Sequence, residues 1–156
     1  MGAGDSSKQI QYQEGCLMRS WRETGMNLGL LVLRVMAGAG MACLHSFGRL
    51  SPGHIEEFAK IAVAPLGFPF PLVFAYLSVL TEFVGGLFIA AGLLTRLTAL
   101  PLIFNMCVAI VGVHMHNGDS LAKMEPALTY LTAFVTLFLA GPGSLSVDRI
   151  IWGTRK

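Results

Sequence analysis

Long apolar stretches, separated by short polar breaks, make up most of this chain. A helix of about 20 apolar residues, rising about 1.5 Å per residue, crosses the roughly 30 Å hydrocarbon core of a bilayer. Four stretches approach this length, over residues 28–47, 72–94, 97–113 and 125–140, and each contains few charged residues. The pattern predicts an all-α fold, in which a polytopic membrane protein forms a bundle of four transmembrane helices.

The polar stretches outside the spans give the expected organisation of the chain. Residues 1–27 form a polar N-terminal tail, residues 28–148 the membrane domain, and residues 149–156 a short C-terminal tail. Within the first tail, residues 16–26 can form a short interfacial helix whose apolar side chains face lipid. Those apolar side chains are Leu17, Met18 and Trp21.

Between the first two spans, the sequence predicts a short amphipathic helix followed by a loop. Apolar residues recur at helical spacing over residues 54–64, and charged residues occupy the other faces. Residues 65–71 then hold three prolines, which an ordinary helix interior does not tolerate. We expect this second segment to be an interfacial loop.

Basic residues are divided unequally between the two sides of the membrane that four spans imply. Cytoplasmic loops carry an excess of lysine and arginine. One side has three basic residues, Arg49, Lys60 and Lys123, whereas the side that holds both termini has seven. Those seven are Lys8, Arg19, Arg22, Arg96, Arg149, Arg155 and Lys156. We therefore predict that both termini are cytoplasmic.

Composition supports the membrane class and excludes several others. The chain is 54% hydrophobic and 13% charged, with a mean hydropathy of +0.64, whereas soluble domains carry about 25% charged residues. A net charge of +2 without a dense basic stripe argues against a nucleic-acid partner. The three cysteines, Cys16, Cys43 and Cys107, form no C-x-x-C motif and predict neither a disulfide framework nor a zinc knuckle.

Two charged residues lie inside the predicted spans, where an unpaired charge costs several kcal/mol or more. At about 1.5 Å per residue, Arg34 lies about 9 Å from the cytoplasmic end of its span and Glu82 about 18 Å from that of its own. An arginine side chain can reach several Å along a helix, so we predict an Arg34–Glu82 ion pair. The pair can fix one span against the next, form the polar floor of a ligand cavity, or do both.

A second group of polar residues lies toward the opposite ends of the spans. Imidazole and carboxylate groups are the usual ligands of transition metals and the usual proton-transfer groups of quinone chemistry. They can equally be solvated residues at the membrane boundary. The two histidines of the H-x-H segment point to different helix faces, so we predict no metal site and regard these groups only as weak candidate ligands. The candidates for ligand binding or proton transfer are Arg34, His45, Glu82, Asn105, His114, Glu125 and Tyr130. The groups that could ligate a metal are His45, His114, His116 and Glu125.

Small and aromatic residues add two further expectations. Glycines at helical spacing, around Gly38 in the first span and Gly85-Gly86 in the second, predict close helix packing, which membrane helices achieve through small residues. Four aromatic residues near the start of the second span can line a groove of the size of a quinone or can anchor the chain at the interface. They are Phe68, Phe70, Phe74 and Tyr76.

Several sequence blocks resemble the DoxX family of small four-helix bacterial membrane proteins. The most specific are an E-x-x-G-G block at residues 82–86 and a G-L-L-T-R block at residues 92–96, supported by G-P-G-x-x-S-x-D at residues 141–148. The similarity covers roughly residues 28–148. One departure is Ser46, where the family often has glycine beside a histidine. The remaining matches are Leu33-Arg34-Val35, His45 with Gly48 and Leu50, His114, and Glu125-x-Ala127-Leu128-x-Tyr130.

This resemblance implies a multi-pass bundle in the bacterial cytoplasmic (inner) membrane and an association with redox chemistry. One hypothesis is a quinone-linked redox component, or a membrane partner of an oxidoreductase, that binds a quinone and receives electrons from a partner or a bound substrate. The alternative is a non-catalytic structural or assembly subunit of a larger membrane complex or an oligomer. A small-solute carrier is a weaker hypothesis, since the chain has no internal repeat of the kind that such carriers show. Whether the chain is an enzyme stays open.

Overall fold

A computed structural model describes residues 3–51 and 53–153, with side chains from residue 17 onward. The described part of the chain consists of helices joined by short turns, without a strand, as the predicted all-α class requires. The α-helices are α1 (Ala3–Ala39), α2 (His54–Phe58), α3 (Pro71–Ala91), α4 (Thr95–Cys107), α5 (Leu121–Ala140) and α6 (Val147–Trp152). Wider or tighter helical turns extend three of them, with α1 continuing through Gly40–Ser46 and Phe47–Leu50, α2 through Ala59–Val63 and Ala64–Leu66, and α4 through Val108–Met115.

Three helical segments of the described chain are long and apolar enough to cross a membrane. They are Leu17–Leu50, Pro71–Ala91 and Thr95–Met115, and they overlap the first three predicted spans. A tight turn joins the second to the third: α3 ends at Ala91, and the next residue, Gly92, has a φ of 71° that glycine adopts without strain.

The fourth long helix, α5, packs against α4 and α1 and completes the core of the bundle. Its Phe134 and Leu137 are fully buried there, beside Leu102 and Met106 of α4. Lys123 and Glu125 stand near its start and lower its mean hydropathy, so α5 is not among the three helical segments above.

Helices α1 and α3 approach each other through glycines, which confirms the packing that their spacing predicts. A Cβ atom added at Gly38 would lie 2.5 Å from the carbonyl oxygen of Gly86, and one added at Gly86 would lie 2.7 Å from the carbonyl oxygen of Gly38. Both separations are below van der Waals contact. The backbones therefore meet at a distance that no larger residue permits.

The predicted interfacial helix over residues 16–26 is not a separate element. These residues continue α1 without a break, because nothing in the chain there stops a helix. The side chains of Leu17, Met18 and Trp21 are all exposed, as they must be if they face lipid.

The predicted amphipathic helix over residues 54–64 is confirmed, and it extends to Leu66. We call residues 54–66 the strap. Its apolar face, Ile55, Ala59 and Val63, packs on Ala75 and Val79 of α3. The strap thus covers one end of the bundle, and the loop that follows it stacks Phe68 on Phe74 with 4.7 Å between ring centroids.

At the opposite end, the loop over residues 141–146 folds back between α1 and the α3–α4 turn. Asp148 accepts hydrogen bonds from the backbone N–H groups of Leu94 (2.6 Å) and Thr95 (3.0 Å), so it caps the start of α4. The backbone N–H of Ser144 donates to Asn27 Oδ1 at 2.8 Å. The loop over residues 141–146 and Asp148 therefore connect α1 to the α3–α4 turn at this end of the bundle.

Candidate functional site

A cavity of about 520 Å³, which we call the central cavity, lies between α3, α4, the start of α5 and the strap. This volume is within the range of about 300–1,000 Å³ that is typical of small-molecule sites. Its walls are mostly apolar and include four phenylalanines, whereas one end is polar. The phenylalanines are Phe58, Phe68, Phe74 and Phe104, and the polar end carries His45, Arg49, Ser78, Thr81, Glu82 and Asn105.

The carboxylate of Glu82 is the centre of the polar end and is only 3% exposed. Asn105 Nδ2 donates a hydrogen bond to its Oε1 at 3.1 Å, and Ser46 Oγ lies 3.0 Å from its Oε2. Arg49 Nη1 lies 3.6 Å from the same Oε2. Three partners from two helices, the continued α1 and α4, therefore compensate a carboxylate that would be costly to bury alone.

Ser46, the departure from the family pattern, is fully buried and forms part of this arrangement. Its hydroxyl lies 2.9 Å from the carbonyl oxygen of Met41 as well as close to Glu82, and it can donate to either. A glycine at this position would offer Glu82 no hydroxyl. The small side chain also fits where α1 packs on α3.

Asn105 is held in place by reciprocal hydrogen bonds with Ser78 of α3. Ser78 Oγ donates to Asn105 Oδ1 at 3.1 Å, and Asn105 Nδ2 lies 3.2 Å from the carbonyl oxygen of Ser78. These contacts orient the amide so that its NH₂ group faces Glu82. The side chain is thereby fixed before any ligand binds.

The predicted ion pair between Arg34 and Glu82 is wrong. Arg34 is 2% exposed, but its guanidinium donates to the carbonyl oxygens of Pro142, at 2.9 Å, and Leu145. The loop over residues 141–146 supplies these acceptors at the end of the bundle opposite the cavity. Arg34 therefore fastens that loop and does not line the central cavity.

Arg49 takes the place that was predicted for Arg34, and sequence reasoning missed it. Besides its ion pair with Glu82, its guanidinium carbon lies 5.0 Å from the centroid of the Phe58 ring. The available signal was its position four residues after His45, which places both side chains on one helix face if the first span continues beyond residue 47. The helix does continue, to Leu50.

His45 lines the cavity, whereas Tyr130 lies behind it in the bundle. The centroids of the two rings are 5.7 Å apart, and Tyr130 stacks in turn on Phe134 at 6.0 Å. A Cβ atom added at Gly40 would lie 2.9 Å from the Tyr130 hydroxyl. Tyr130 thus packs against α1 and positions His45, but it does not reach the cavity.

The rim of the cavity carries a second polar group. Asp119 Oδ2 lies 2.9 Å from His114 Nδ1, and Asp119 Oδ1 accepts from Lys123 Nζ at 2.9 Å. The hydrogen bonds from His114 and Lys123 lower the pKa of Asp119 below its usual range. His114 and Lys123 both line the cavity, so charged and titratable groups surround this part of its edge.

The structure places the remaining predicted site residues outside the cavity. His116 and Glu125 are exposed, as are Phe70 and Tyr76, so only Phe68 and Phe74 of the four candidate aromatic residues are in the wall. Among the residues that the structure describes, no three histidine, cysteine, aspartate or glutamate side chains group closely enough to hold a metal ion.

The cavity reaches the surface of the bundle between α3 and α4. Leu77 and Phe104 line the cavity and are also 55% and 68% exposed. These residues lie in the apolar helical segments that can cross a membrane. The arrangement suits an amphipathic molecule, whose polar head meets hydrogen-bond donors and a proton acceptor while its apolar part lies along α3 and α4.

Comparison with known proteins places these features in a wider group. The family model described as DoxX matches residues 29–115. The chain is similar to the inner membrane protein YphA of Escherichia coli (strain K12), with 29% identity over 94 residues that cover 56% of this chain and 67% of YphA. It is also similar to the membrane protein Rv3486 of Mycobacterium tuberculosis, with 32% identity over 133 residues that cover 77% of this chain and 76% of Rv3486. No solved structure matches the chain.

Proposed function

The chain is an integral membrane protein of the DoxX family, and from this premise we propose that it is a quinone-linked redox component or the membrane partner of an oxidoreductase. The main observation in support of this proposal is the central cavity, which joins an apolar, phenylalanine-lined wall to the polar end around Glu82. A quinone has the same division, with two ring oxygens at one end and an apolar tail at the other.

In this proposal the head group lies at the polar end of the cavity. The Arg49 guanidinium donates hydrogen bonds to a ring oxygen, and the Glu82 carboxylate and the His45 imidazole exchange protons with the ring oxygens. Asn105, whose two N–H donors bind Glu82 and Ser78, holds the carboxylate in position. Reduction of a quinone to a quinol takes up two electrons and two protons. The sequence has no cofactor-ligating motif, so the electrons come from a partner protein or a bound reductant.

The membrane arrangement is part of the same proposal. The helix α5 is the fourth span, packed on α4 and α1, and the chain is a multi-pass protein of the bacterial cytoplasmic membrane with both termini in the cytoplasm. The seven-to-three distribution of basic residues supports this orientation. The strap and the rim residue His114 then lie on the outer side.

Binding of a short-chain quinone analogue to the purified protein tests the ligand. We expect saturable binding that weakens about tenfold or more, equivalent to about 1.4 kcal/mol, in Glu82→Gln and in His114→Ala. Glu56→Gln is the matched control, because Glu56 is exposed and lies outside the cavity. Absent binding, or equal affinity in all four proteins, would exclude the quinone proposal.

The second candidate is a non-catalytic subunit of a larger membrane complex. It is favoured by exposed apolar residues in the middle of α1, where Leu17, Met18 and Trp21 are 64%, 66% and 73% exposed. Purification in a mild detergent discriminates the two functions. A partner that co-purifies in a fixed ratio and is lost in Trp21→Ser, together with no quinone binding, would support this candidate.

A further inference from the structure

A second cavity adjoins the central cavity on the side of the strap. This surface groove has a volume of about 460 Å³ and runs between the end of the first helix and the strap. His54 and Glu57, both exposed, stand at its edge. It is therefore open to water on the strap side of the bundle.

The two cavities share one wall. Four residues line both of them: His45, Arg49, Phe58 and Ala62. Ala62 offers only a methyl group, and His45 is backed by Tyr130. The side chains of Arg49 and Phe58, in contact at 5.0 Å, are the larger part of the partition between Glu82 and the groove.

Within the described part of the chain, the guanidinium of Arg49 makes no hydrogen bond. Its distance of 3.6 Å from Glu82 is too long for one, and a cation–π contact with Phe58 is weak at a partly exposed site. Arg34, in contrast, is fixed by two backbone carbonyl groups. Of the two charged side chains at the polar end of the central cavity, Arg49 is therefore less constrained than Glu82, and it can turn toward the groove.

The strap itself is anchored, so movement is confined to side chains. Ile55, Ala59 and Val63 are buried against α3, whereas Phe58 is only partly buried and packs against the edge of this cluster. Rotation of Phe58 gives up its own contacts with the cluster but leaves the three buried residues Ile55, Ala59 and Val63 in place. Opening of the partition thus needs no unfolding of the strap.

We infer that Arg49 and Phe58 form a gate, and that the surface groove is the route by which water and small water-soluble reactants reach the central cavity. The opposite end of the bundle is closed by the loop that Arg34 and Asp148 hold. Water-soluble reactants therefore reach Glu82 from the strap side, whereas the opening between α3 and α4 is lined by the apolar residues Leu77 and Phe104. This inference concerns access and holds for any ligand of the cavity.

Cysteine labelling in reconstituted lipid vesicles tests the gate. Cys16, Cys43 and Cys107 are replaced by serine, and Thr81→Cys places a thiol in the central cavity. The probe is a charged methanethiosulfonate, which does not enter lipid. In separate proteins, Glu57→Cys reports the groove and Leu97→Cys, 64% exposed on α4, reports the apolar helix surface.

We expect Phe58→Ala to raise the labelling rate of the cysteine at position 81 about tenfold or more, a change of about 1.4 kcal/mol in the barrier. Ile61→Ala is the matched control, because Ile61 lines the groove but not the central cavity, and it should leave that rate within about twofold. Phe58→Leu replaces Phe58→Ala if the latter does not fold, and it should give a smaller increase.

Three results would overturn the gate. The first is a labelling rate at position 81 that is the same in the Phe58 variants and in the protein with Phe58. The second is an increase as large in Ile61→Ala. The third is labelling of position 81 in the vesicle orientation that leaves the cysteine at position 57 unlabelled, which would place the aqueous route at the other end of the bundle.

Discussion

The guanidinium of Arg49 lies 3.6 Å from the carboxylate of Glu82, because the last turn of the first helix brings the two residues together. Glu82 is buried on α3, whereas the side chain of Arg49 keeps about a third of its surface exposed (35%). Glu82 is thus shielded from solvent, whereas its partner Arg49 is partly exposed. This difference in exposure determines how much stability the protein loses when each partner is removed.

Removal of one partner should destabilise the protein more than removal of both. Arg49→Met leaves the Glu82 carboxylate without its compensating charge, and we expect a loss of about 1–3 kcal/mol, discounted for the exposure of Arg49. The double variant with Glu82→Gln should recover part of this loss, with a coupling energy of about 1 kcal/mol. Thermal melts of the singles and the double in detergent measure it.

The control for this cycle is the pair that the structure separates. Arg34→Met and Glu82→Gln should show additive losses within about 0.5 kcal/mol, because the two side chains share no partner. Additive losses for Arg49 with Glu82, or strong coupling for Arg34 with Glu82, would contradict the arrangement of charges described above.

The glycine contact between α1 and α3 predicts a sharp difference among similar substitutions. Gly38→Ala and Gly86→Ala each place a methyl group within 2.7 Å of the facing backbone, so the helices must separate, and we expect a loss of more than about 2 kcal/mol or no folded protein. Gly29→Ala is the control. A Cβ atom there meets nothing within 4 Å, so alanine should be neutral or stabilise the helix by up to about 1 kcal/mol.

Melting temperatures of the three glycine variants test this contact. The prediction concerns the order more than the size of the effects, because rearrangement of the bundle can relieve part of the overlap. Equal stability of Gly38→Ala and Gly29→Ala would show that α1 and α3 do not meet at Gly38 and Gly86.

Much of this architecture follows from the sequence because it is periodic. Apolar helices of the length of a bilayer and glycines on one face are local patterns, and the structure contains both. The central cavity also contains four of the predicted site residues: His45, Glu82, Asn105 and His114.

The charge pairing could not be derived from the sequence in the same way. The depth of Arg34 along its span gives an axial position, but its partners come from a loop more than 100 residues away that folds back into the bundle. Arg49 was missed because the first helix continues to Leu50, past the predicted end at residue 47. One more turn of helix decides whether Arg49 belongs to a loop or to the site.

The rim predicts a dependence of stability on pH. Hydrogen bonds from His114 and Lys123 lower the pKa of Asp119 in the folded protein, so the unfolded chain binds more protons in acid. The stabilisation is therefore complete above the unfolded pKa of about 3.9 and is lost as the pH falls through the lower folded pKa.

Melting temperatures of the natural protein and Asp119→Asn between about pH 3 and pH 7 test the rim. The natural protein should be the more stable at neutral pH, and the difference should shrink below about pH 4. A difference that is constant over this range, or that grows in acid, would contradict an ionised Asp119 as the centre of the rim.

The orientation in the membrane predicts opposite accessibility for two exposed serines. Ser20 lies on the N-terminal part of α1, beside Arg19 and Arg22, and Ser120 immediately precedes α5. The excess of basic residues on the side of the termini retains that side in the cytoplasm. In intact cells, a membrane-impermeant maleimide should therefore label Ser120→Cys and not Ser20→Cys, in a background without Cys16, Cys43 and Cys107. Permeabilised cells provide the control, since both positions should then react. Labelling of position 20 in intact cells would invert the orientation, and labelling of both positions would show that the chain does not cross the membrane an odd number of times between them.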